Sequence, residues 1–214
     1  MIITVQKPFS EIEENLKPFS RIFIVGCAAC ATKCQTGSEE AVKNIIKKIE
    51  SSGKKVTGFK ILDTPCDIRI ARKELLKSEE VNSADAVLIM SCGAGFQSVG
   101  SILEKDLIPA LNPVFTGTTE RIGIYREFCS VCGECIIDKT AGLCPVTRCA
   151  KGLLNGPCGG TVDGKCEADL ESDCVWALIY EKINKKGKLK DFIKSFMPPR
   201  KTLKPKKIVA KDRY

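Results

Sequence analysis

Thirteen cysteines and the complete absence of histidine constrain this 214-residue chain more than any other feature of its sequence. Thiolates are soft ligands that suit iron–sulfur clusters and zinc, so without imidazole any soft-metal site must be ligated mainly by sulfur. The absence of histidine also excludes Ser-His-Asp and Cys-His catalysis, zinc fingers with mixed ligands, and Rieske centres. The composition therefore predicts a protein that holds metal through cysteine.

The N-terminal residues and the hydropathy predict a cytoplasmic protein without membrane spans. The basic and apolar regions of a secretory signal are not visible, and no apolar run reaches the length of about 18 residues that a spanning helix needs. Thiols stay reduced in the cytosol, so dense cysteine indicates metal binding or catalysis there. The alternative, a secreted disulfide scaffold, is opposed by the odd cysteine count and the C-x2-C spacings.

Charge is distributed unevenly along the chain. The net charge is +8, but residues 182–214 alone contain thirteen Lys and Arg against two acids. Because aromatic residues are few, nucleic-acid binding is not expected. We predict an α/β cluster-binding domain over 1–126, a cysteine-rich iron–sulfur domain over 127–180, and a basic helical or extended tail over 181–214. The tail is either a solvated segment or a docking element for an acidic partner.

The first half of the chain alternates between strand and helix patterns. Short apolar, β-branched runs predict strands, and apolar residues at helical spacing behind capping residues predict helices. We expect strands at 21–26, 55–62, 84–90 and near 114–125, and helices at 38–53, 67–77 and 100–107. Such alternation predicts a Rossmann- or flavodoxin-like parallel sheet.

Five cysteines follow these predicted strands. Cys27, Cys66 and Cys92 come after three successive strands, whose carboxyl ends meet at one edge of a parallel sheet. Cys30 and Cys34 lie in the same loop as Cys27. We predict a [4Fe–4S] cluster bound by Cys27, Cys66 and Cys92, with either Cys30 or Cys34 as the fourth ligand. The alternative is that Cys66 and Cys92 are small buried apolar residues.

A glycine-rich turn with the sequence SCGAGFQSVG follows the third predicted strand. Its Gly93-x-Gly95 lacks the third glycine of a dinucleotide-binding fingerprint, because Ser98 stands at that position. We interpret the turn as one that lets backbone N–H groups approach a cluster, with nucleotide binding as the alternative.

Eight cysteines lie within 46 residues of the second half: Cys129, Cys132, Cys135, Cys144, Cys149, Cys158, Cys166 and Cys174. The first three have the spacing of a bacterial ferredoxin site, whereas Cys144-Pro145 follows after eight intervening residues instead of three. The segment is rich in glycine and poor in apolar periodicity, so we expect metal to fold it. Two [4Fe–4S] clusters in a ferredoxin-like or irregular domain are favoured over one cluster plus a four-thiolate zinc. The whole chain would then hold two to three clusters.

The segments GCAACATKC, DTPCD, LIMSCGAG and EFCSVCGECIIDKTAGLCPVTRCAKGLLNGPCGG together resemble one family. They are similar to MetV-type iron–sulfur small subunits of two-subunit methylenetetrahydrofolate reductases, and to the family named after the C-terminal domain of these reductases. The resemblance covers roughly residues 20–200. It implies an electron-transfer subunit without an active site of its own, in one-carbon metabolism of the Wood–Ljungdahl type. It also implies a catalytic partner, the FMN-containing MetF subunit, and an upstream donor such as ferredoxin or a larger redox complex.

Two other functions stay open from the residues alone. A stand-alone redox enzyme would use an open cluster or a reactive thiol such as Cys30 or Cys34. A zinc-stabilised interaction or nucleic-acid-binding module would use the basic tail, and its binding would depend strongly on salt.

Overall fold

The computed structural model describes residues 1–198. The chain divides into two compact units, Met1–Arg126 and Glu127–Tyr214, the second described as far as Pro198. From the N-terminus to the start of the second unit the elements are β1 (Ile2–Gln6), α1 (Phe9–Leu16), β2 (Arg21–Cys27), α2 (Cys30–Lys33), α3 (Glu39–Ser51), β3 (Lys55–Leu62), α4 (Ile68–Leu75), α5 (Glu79–Ser83), β4 (Ala86–Met90), α6 (Gly93–Gly100), β5 (Asp106–Pro109), β6 (Leu111–Arg121) and β7 (Ile124–Glu127).

A four-stranded parallel sheet in the order β3-β2-β4-β5 forms the centre of the first unit. Strands β2 and β4 are buried along nearly their whole length because both faces of the sheet are covered. On one face Ile24 and Leu88 pack with residues of α1 and α3, and on the other Phe23 and Val87 pack with residues of α4, α5 and α6. The predicted α/β architecture with a parallel sheet is confirmed, and its strand order is that of flavodoxin-like sheets.

The edge strand of this sheet differs from the prediction. The helix expected over 100–107 was wrong: α6 already ends at Gly100, and β5 then pairs with β4. Cys92 begins α6 as its N-cap, so the glycine-rich sequence after it is helical. Pro109 is compatible with β5 because this strand lies at the edge of the sheet, where one side needs no hydrogen-bond donor.

A separate antiparallel sheet, β1-β6-β7, completes the first unit. Strand β1 pairs with the first half of β6, and the N-terminal amino group of Met1 donates to the Gly117 carbonyl at 3.0 Å. The strands expected near 114–125 are therefore present, but they belong to this sheet and not to the parallel one.

Asp85 holds the start of β2 in place. Its carboxylate accepts hydrogen bonds from the backbone N–H groups of Ser20 and Arg21, at 3.1 and 2.8 Å, and pairs with the Arg21 guanidinium at 2.7 Å. The hydrogen bond from the Arg21 side chain is the main cause that lowers the pKa of Asp85 to about 2.

The second unit contains less regular structure than the first. Its elements are α7 (Pro145–Arg148), β8 (Lys165–Cys166), β9 (Asp169–Asp173), α8 (Val175–Lys185) and α9 (Leu189–Lys194). Helix α8 follows Cys174 and buries Trp176, Ile179 and Ile183 in a small core with Met197. Part of the predicted tail forms α9. The end of that tail, residues 199–214, lies outside the described chain.

Within residues 1–198, none of the helices combines the length and the apolar character that crossing a membrane requires.

Candidate metal centres

Four cysteines of the first unit belong to the carboxyl edge of the parallel sheet. Cys27 is the last residue of β2, Cys66 lies in the loop after β3, and Cys92 follows β4 as the N-cap of α6. Cys30 begins α2, in the loop that leaves β2. The helices that follow β2 and β4 cover opposite faces of the sheet, so this edge contains the crevice where ligands bind in such folds.

The thiols of Cys30 and Cys92 influence the pKa of both Cys27 and Cys66. Burial raises the pKa of Cys27, and the Cys30 and Cys92 thiols raise it further, while two backbone N–H groups of the next turn lower it. Burial also raises the pKa of Cys66, again with contributions from Cys92 and Cys30. Because a nearby negative charge opposes ionisation of a thiol, Cys30 and Cys92 each interact electrostatically with Cys27 and with Cys66.

Cys34 has a different environment. Its side chain is buried, with 7% exposed, and its Sγ lies 3.8 Å from the Ile2 carbonyl oxygen of β1. It is not among the groups that shift the pKa of Cys27 or Cys66. The structure therefore favours Cys30 over Cys34 as the fourth thiol at the sheet edge.

Hydrogen bonds connect the cysteine loop to the antiparallel sheet. The buried hydroxyl oxygens of Thr4 in β1 and Thr36 are 2.7 Å apart, and Thr36 also donates to the Ala31 carbonyl at 3.2 Å. The Tyr125 hydroxyl of β7 donates to the Lys33 carbonyl at 2.8 Å. The loop between Cys27 and Gly37 is thus supported from outside the parallel sheet, a role that sequence reasoning missed because these partners are distant in the chain.

Glycines allow close packing of the backbone around the same edge. A Cβ on Gly37 would lie 2.5 Å from the Met90 carbonyl oxygen, and a Cβ on Gly95 would lie 2.5 Å from Ser91 Oγ. At Gly93, no atom of residues 1–198 outside its own chain neighbours lies within 4 Å of that position. The glycine-rich turn therefore packs closely at Gly95 and leaves space at Gly93, beside Cys92.

The last four cysteines of the second unit line one small cavity: Cys149, Cys158, Cys166 and Cys174. Arg148, Lys151 and Glu167 also line it, and Lys151 forms an ion pair with Glu167. Sequence reasoning missed the two basic residues, although both lie within two residues of Cys149 in the chain. They place positive charge at the wall of this cavity.

Cys174 stands at the N-terminus of α8. Partial burial opposes ionisation of its thiol, but hydrogen bonds from the Thr161 hydroxyl and from the backbone N–H groups of Ala177 and Trp176 outweigh this and lower its pKa. A helix N-terminus commonly stabilises a thiolate in this way.

The other four cysteines of the second unit have mainly local contacts. The Val131 N–H donates to Cys129 Sγ at 3.4 Å, and Cys144 Sγ lies 3.7 Å from Thr147 Oγ1. A ferredoxin-type site that includes Cys129, Cys132 and Cys135 remains a prediction from their spacing.

The donor chemistry at the sheet edge fits an iron–sulfur cluster. Within residues 1–198, no group of three or more Cys, Asp or Glu side chains is arranged to hold a metal ion. A [4Fe–4S] cluster binds its four cysteines through four different irons, so its ligands lie farther apart than those of a single ion. Four neighbouring thiols, backbone N–H groups directed at sulfur and closely packed glycines are compatible with that group.

One comparison with known proteins finds a similarity for the C-terminal part of the chain. Residues 108–202 match the family model described as methylene-tetrahydrofolate reductase C terminal. The match to that family includes all eight cysteines of the second unit and confirms the resemblance predicted from the sequence motifs. No curated protein and no solved structure matches the chain significantly.

Proposed function

We propose that this protein is the electron-transfer subunit of a methylenetetrahydrofolate reductase and passes electrons through [4Fe–4S] clusters to the flavin of a separate, MetF-type catalytic subunit. The placement of Cys27, Cys30, Cys66 and Cys92 at the carboxyl ends of β2, β3 and β4 carries this proposal. The match of residues 108–202 to the reductase C-terminal family model supports the choice of enzyme system.

Each proposed site uses four thiolates. The sheet-edge set would hold one cluster, and Cys149, Cys158, Cys166 and Cys174 would hold a second. Cys129, Cys132, Cys135 and Cys144 would hold a third, with a four-thiolate zinc as the alternative at one of the two sites in the second unit. When bound, such clusters supply one-electron transfer at potentials set by charge, hydrogen bonds to sulfur and solvent exposure.

Residues of the chain contribute to this function by positioning and charge. The backbone N–H groups near Cys27 and Cys174 donate to sulfur and stabilise the ionised form. Arg148 and Lys151 place positive charge beside the four-cysteine cavity, which favours the more negative, reduced state. We assign no catalytic residue to this chain, since reduction of the folate would occur at the partner's flavin.

Anaerobic iron, sulfide and zinc analysis, combined with EPR of the dithionite-reduced full chain, tests the proposal. Clusters at all three sites would give about twelve irons and as many sulfides per chain, and a zinc at one site would leave about eight irons. A second measurement is bleaching of the catalytic subunit's flavin by the reduced chain. A colourless protein that contains only zinc, or a reduced chain that cannot bleach the flavin, would refute the proposed function.

A further inference from the structure

A large apolar groove lies beside the four-cysteine cavity of the second unit. Its volume is ≈550 Å³, and its walls come from the loop 155–161 and the helices α8 and α9. Trp176, Tyr180 and Phe192 contribute aromatic rings to these walls. Tyr180 is 54% exposed and Ile193 is 70% exposed, so apolar surface at this groove is accessible. We call it the docking groove.

The polar groups around the docking groove already have partners within the chain. The Asn155 side chain donates to the Met197 carbonyl at 2.8 Å and accepts from the Met197 N–H at 2.7 Å. The Trp176 indole N–H donates to the Leu153 carbonyl at 3.2 Å. A groove whose amide and indole groups are satisfied in this way suits apolar side chains better than a polar small molecule.

The docking groove shares two lining residues, Thr161 and Trp176, with the four-cysteine cavity. Pro157 and Gly159, on either side of Cys158, also line the groove. An occupant of the groove would therefore contact residues that also line the cavity of the thiols, which gives a short path for electron exchange.

Positive charge lies next to the docking groove. A second cavity shares Phe192 and Ser195 with it and is also lined by Lys139, Lys186, Lys188, Asp138 and Asp191. From the start of α8 to the end of α9 there are six lysines against two acids, a net charge of +4. Exposed apolar surface next to such charge is typical of a protein-docking site.

This charge distinguishes between three candidate occupants. The chain's own residues 199–214 contain seven Lys and Arg against one acid, so they have the same sign as the groove. A second copy of the chain would bring the same lysines to the interface. A different protein that presents apolar side chains flanked by Asp and Glu would complement both the apolar walls and the lysines.

We propose that the docking groove binds an apolar segment with acidic flanks on the catalytic subunit and thereby places the electron acceptor beside the four-cysteine cavity. This inference rests on the proposed function and names the surface at which the two subunits meet.

Two isoleucines provide a matched test. Ile193 lines the docking groove and Ile122 lies in the first unit, and each is 70% exposed. Affinity of the full, cluster-loaded chain for the MetF-type catalytic subunit is measured anaerobically by isothermal titration calorimetry. Ile193→Asp should raise the Kd at least about tenfold because it puts a buried negative charge into the interface, whereas Ile122→Asp should leave it within about twofold. Iron content and the EPR spectrum should be unchanged in both variants.

The lysines are tested separately from the apolar walls. The double variant Lys186→Glu/Lys188→Glu should weaken binding about tenfold at low salt and reduce the salt dependence of the Kd. The double variant Lys186→Arg/Lys188→Arg retains the charge and should bind like the wild type.

Each other outcome overturns the inference in a recognisable way. Equal affinity of the wild type and Ile193→Asp would reject the docking groove and leave the proposed function intact, whereas no binding by the wild type would reject both. Tighter binding after removal of residues 199–214 would assign the groove to the chain's own C-terminal segment. A dimer that Ile193→Asp dissociates would assign it to a second copy.

Discussion

Replacement of Cys30 or Cys34 by alanine should have opposite consequences for iron binding. The two thiols lie four residues apart in one loop and fit the sequence motif equally well. Cys30 interacts electrostatically with Cys27 and Cys66, whereas Cys34 packs against the Ile2 carbonyl of β1. Cys30→Ala should therefore disrupt the sheet-edge cluster, and Cys34→Ala should leave it intact.

The expected magnitude follows from the ligand count. After Cys30→Ala three thiols remain at the sheet edge, so one iron of the cluster lacks a thiolate ligand and becomes labile, and the chain should lose between one and about four irons. Cys34→Ala removes one buried sulfur, comparable in size to a methylene group, at a cost of about 1 kcal/mol in the free energy of unfolding. A domain with a typical stability of about 5–15 kcal/mol remains folded after that loss.

Iron and sulfide analysis under anaerobic conditions measures this difference, with EPR to detect a three-iron species. Thermal unfolding followed by circular dichroism serves as the control for folding. Loss of iron in Cys34→Ala together with full iron in Cys30→Ala would refute the assignment of Cys30 to the sheet-edge site.

Three further predictions concern the support of this site. Gly37→Ala should destabilise the chain by about 1–3 kcal/mol because its Cβ overlaps a backbone oxygen, whereas Gly93→Ala should cost less than about 1 kcal/mol, as urea unfolding would show. Thr36→Val should cost about 1–3 kcal/mol because the buried Thr4 hydroxyl loses its partner, and a double-mutant cycle with Thr4→Val should give a total below the sum of the single costs. Asp85→Asn should lower the stability at pH 7. The difference from the wild type should disappear as the pH falls from 3.8 towards 2, because the folded-state pKa of Asp85 is lowered to about 2.

Each of these has a contrary outcome. Equal tolerance of alanine at Gly37 and Gly93 would contradict the close approach to Met90. Strictly additive threonine costs would show that the two hydroxyls are independent. A stability loss in Asp85→Asn that persists unchanged at pH 2 would mean that the carboxylate charge is not what stabilises the start of β2.

Local patterns were sufficient to predict the central strands and the cysteines that follow them. Runs such as RIFIVG and ADAVLIM are apolar on both faces, as strands covered by helices must be. Cys27 follows the first run directly, and Cys92 follows the second after one residue. The prediction of a helix over 100–107 was wrong because a short apolar edge strand has nearly the same residue pattern as a short apolar piece of helix. Strand β1 escaped prediction since its pairing partner, the first half of β6, is more than 100 residues away.

The abundance of thiols and the lack of imidazole follow from composition, and these already limit the chain to sulfur-ligated metal chemistry. Cys30 and Cys34, however, have equivalent places in the motif, and only the packing of β1 against the loop separates them. Likewise, the aromatic residues of α8 and α9 have ordinary helical spacing, and they form a groove beside four thiols only once both helices pack against the loop 155–161. Residue type determines which ligands are possible, whereas the set of residues that meet depends on long-range packing that no local pattern contains.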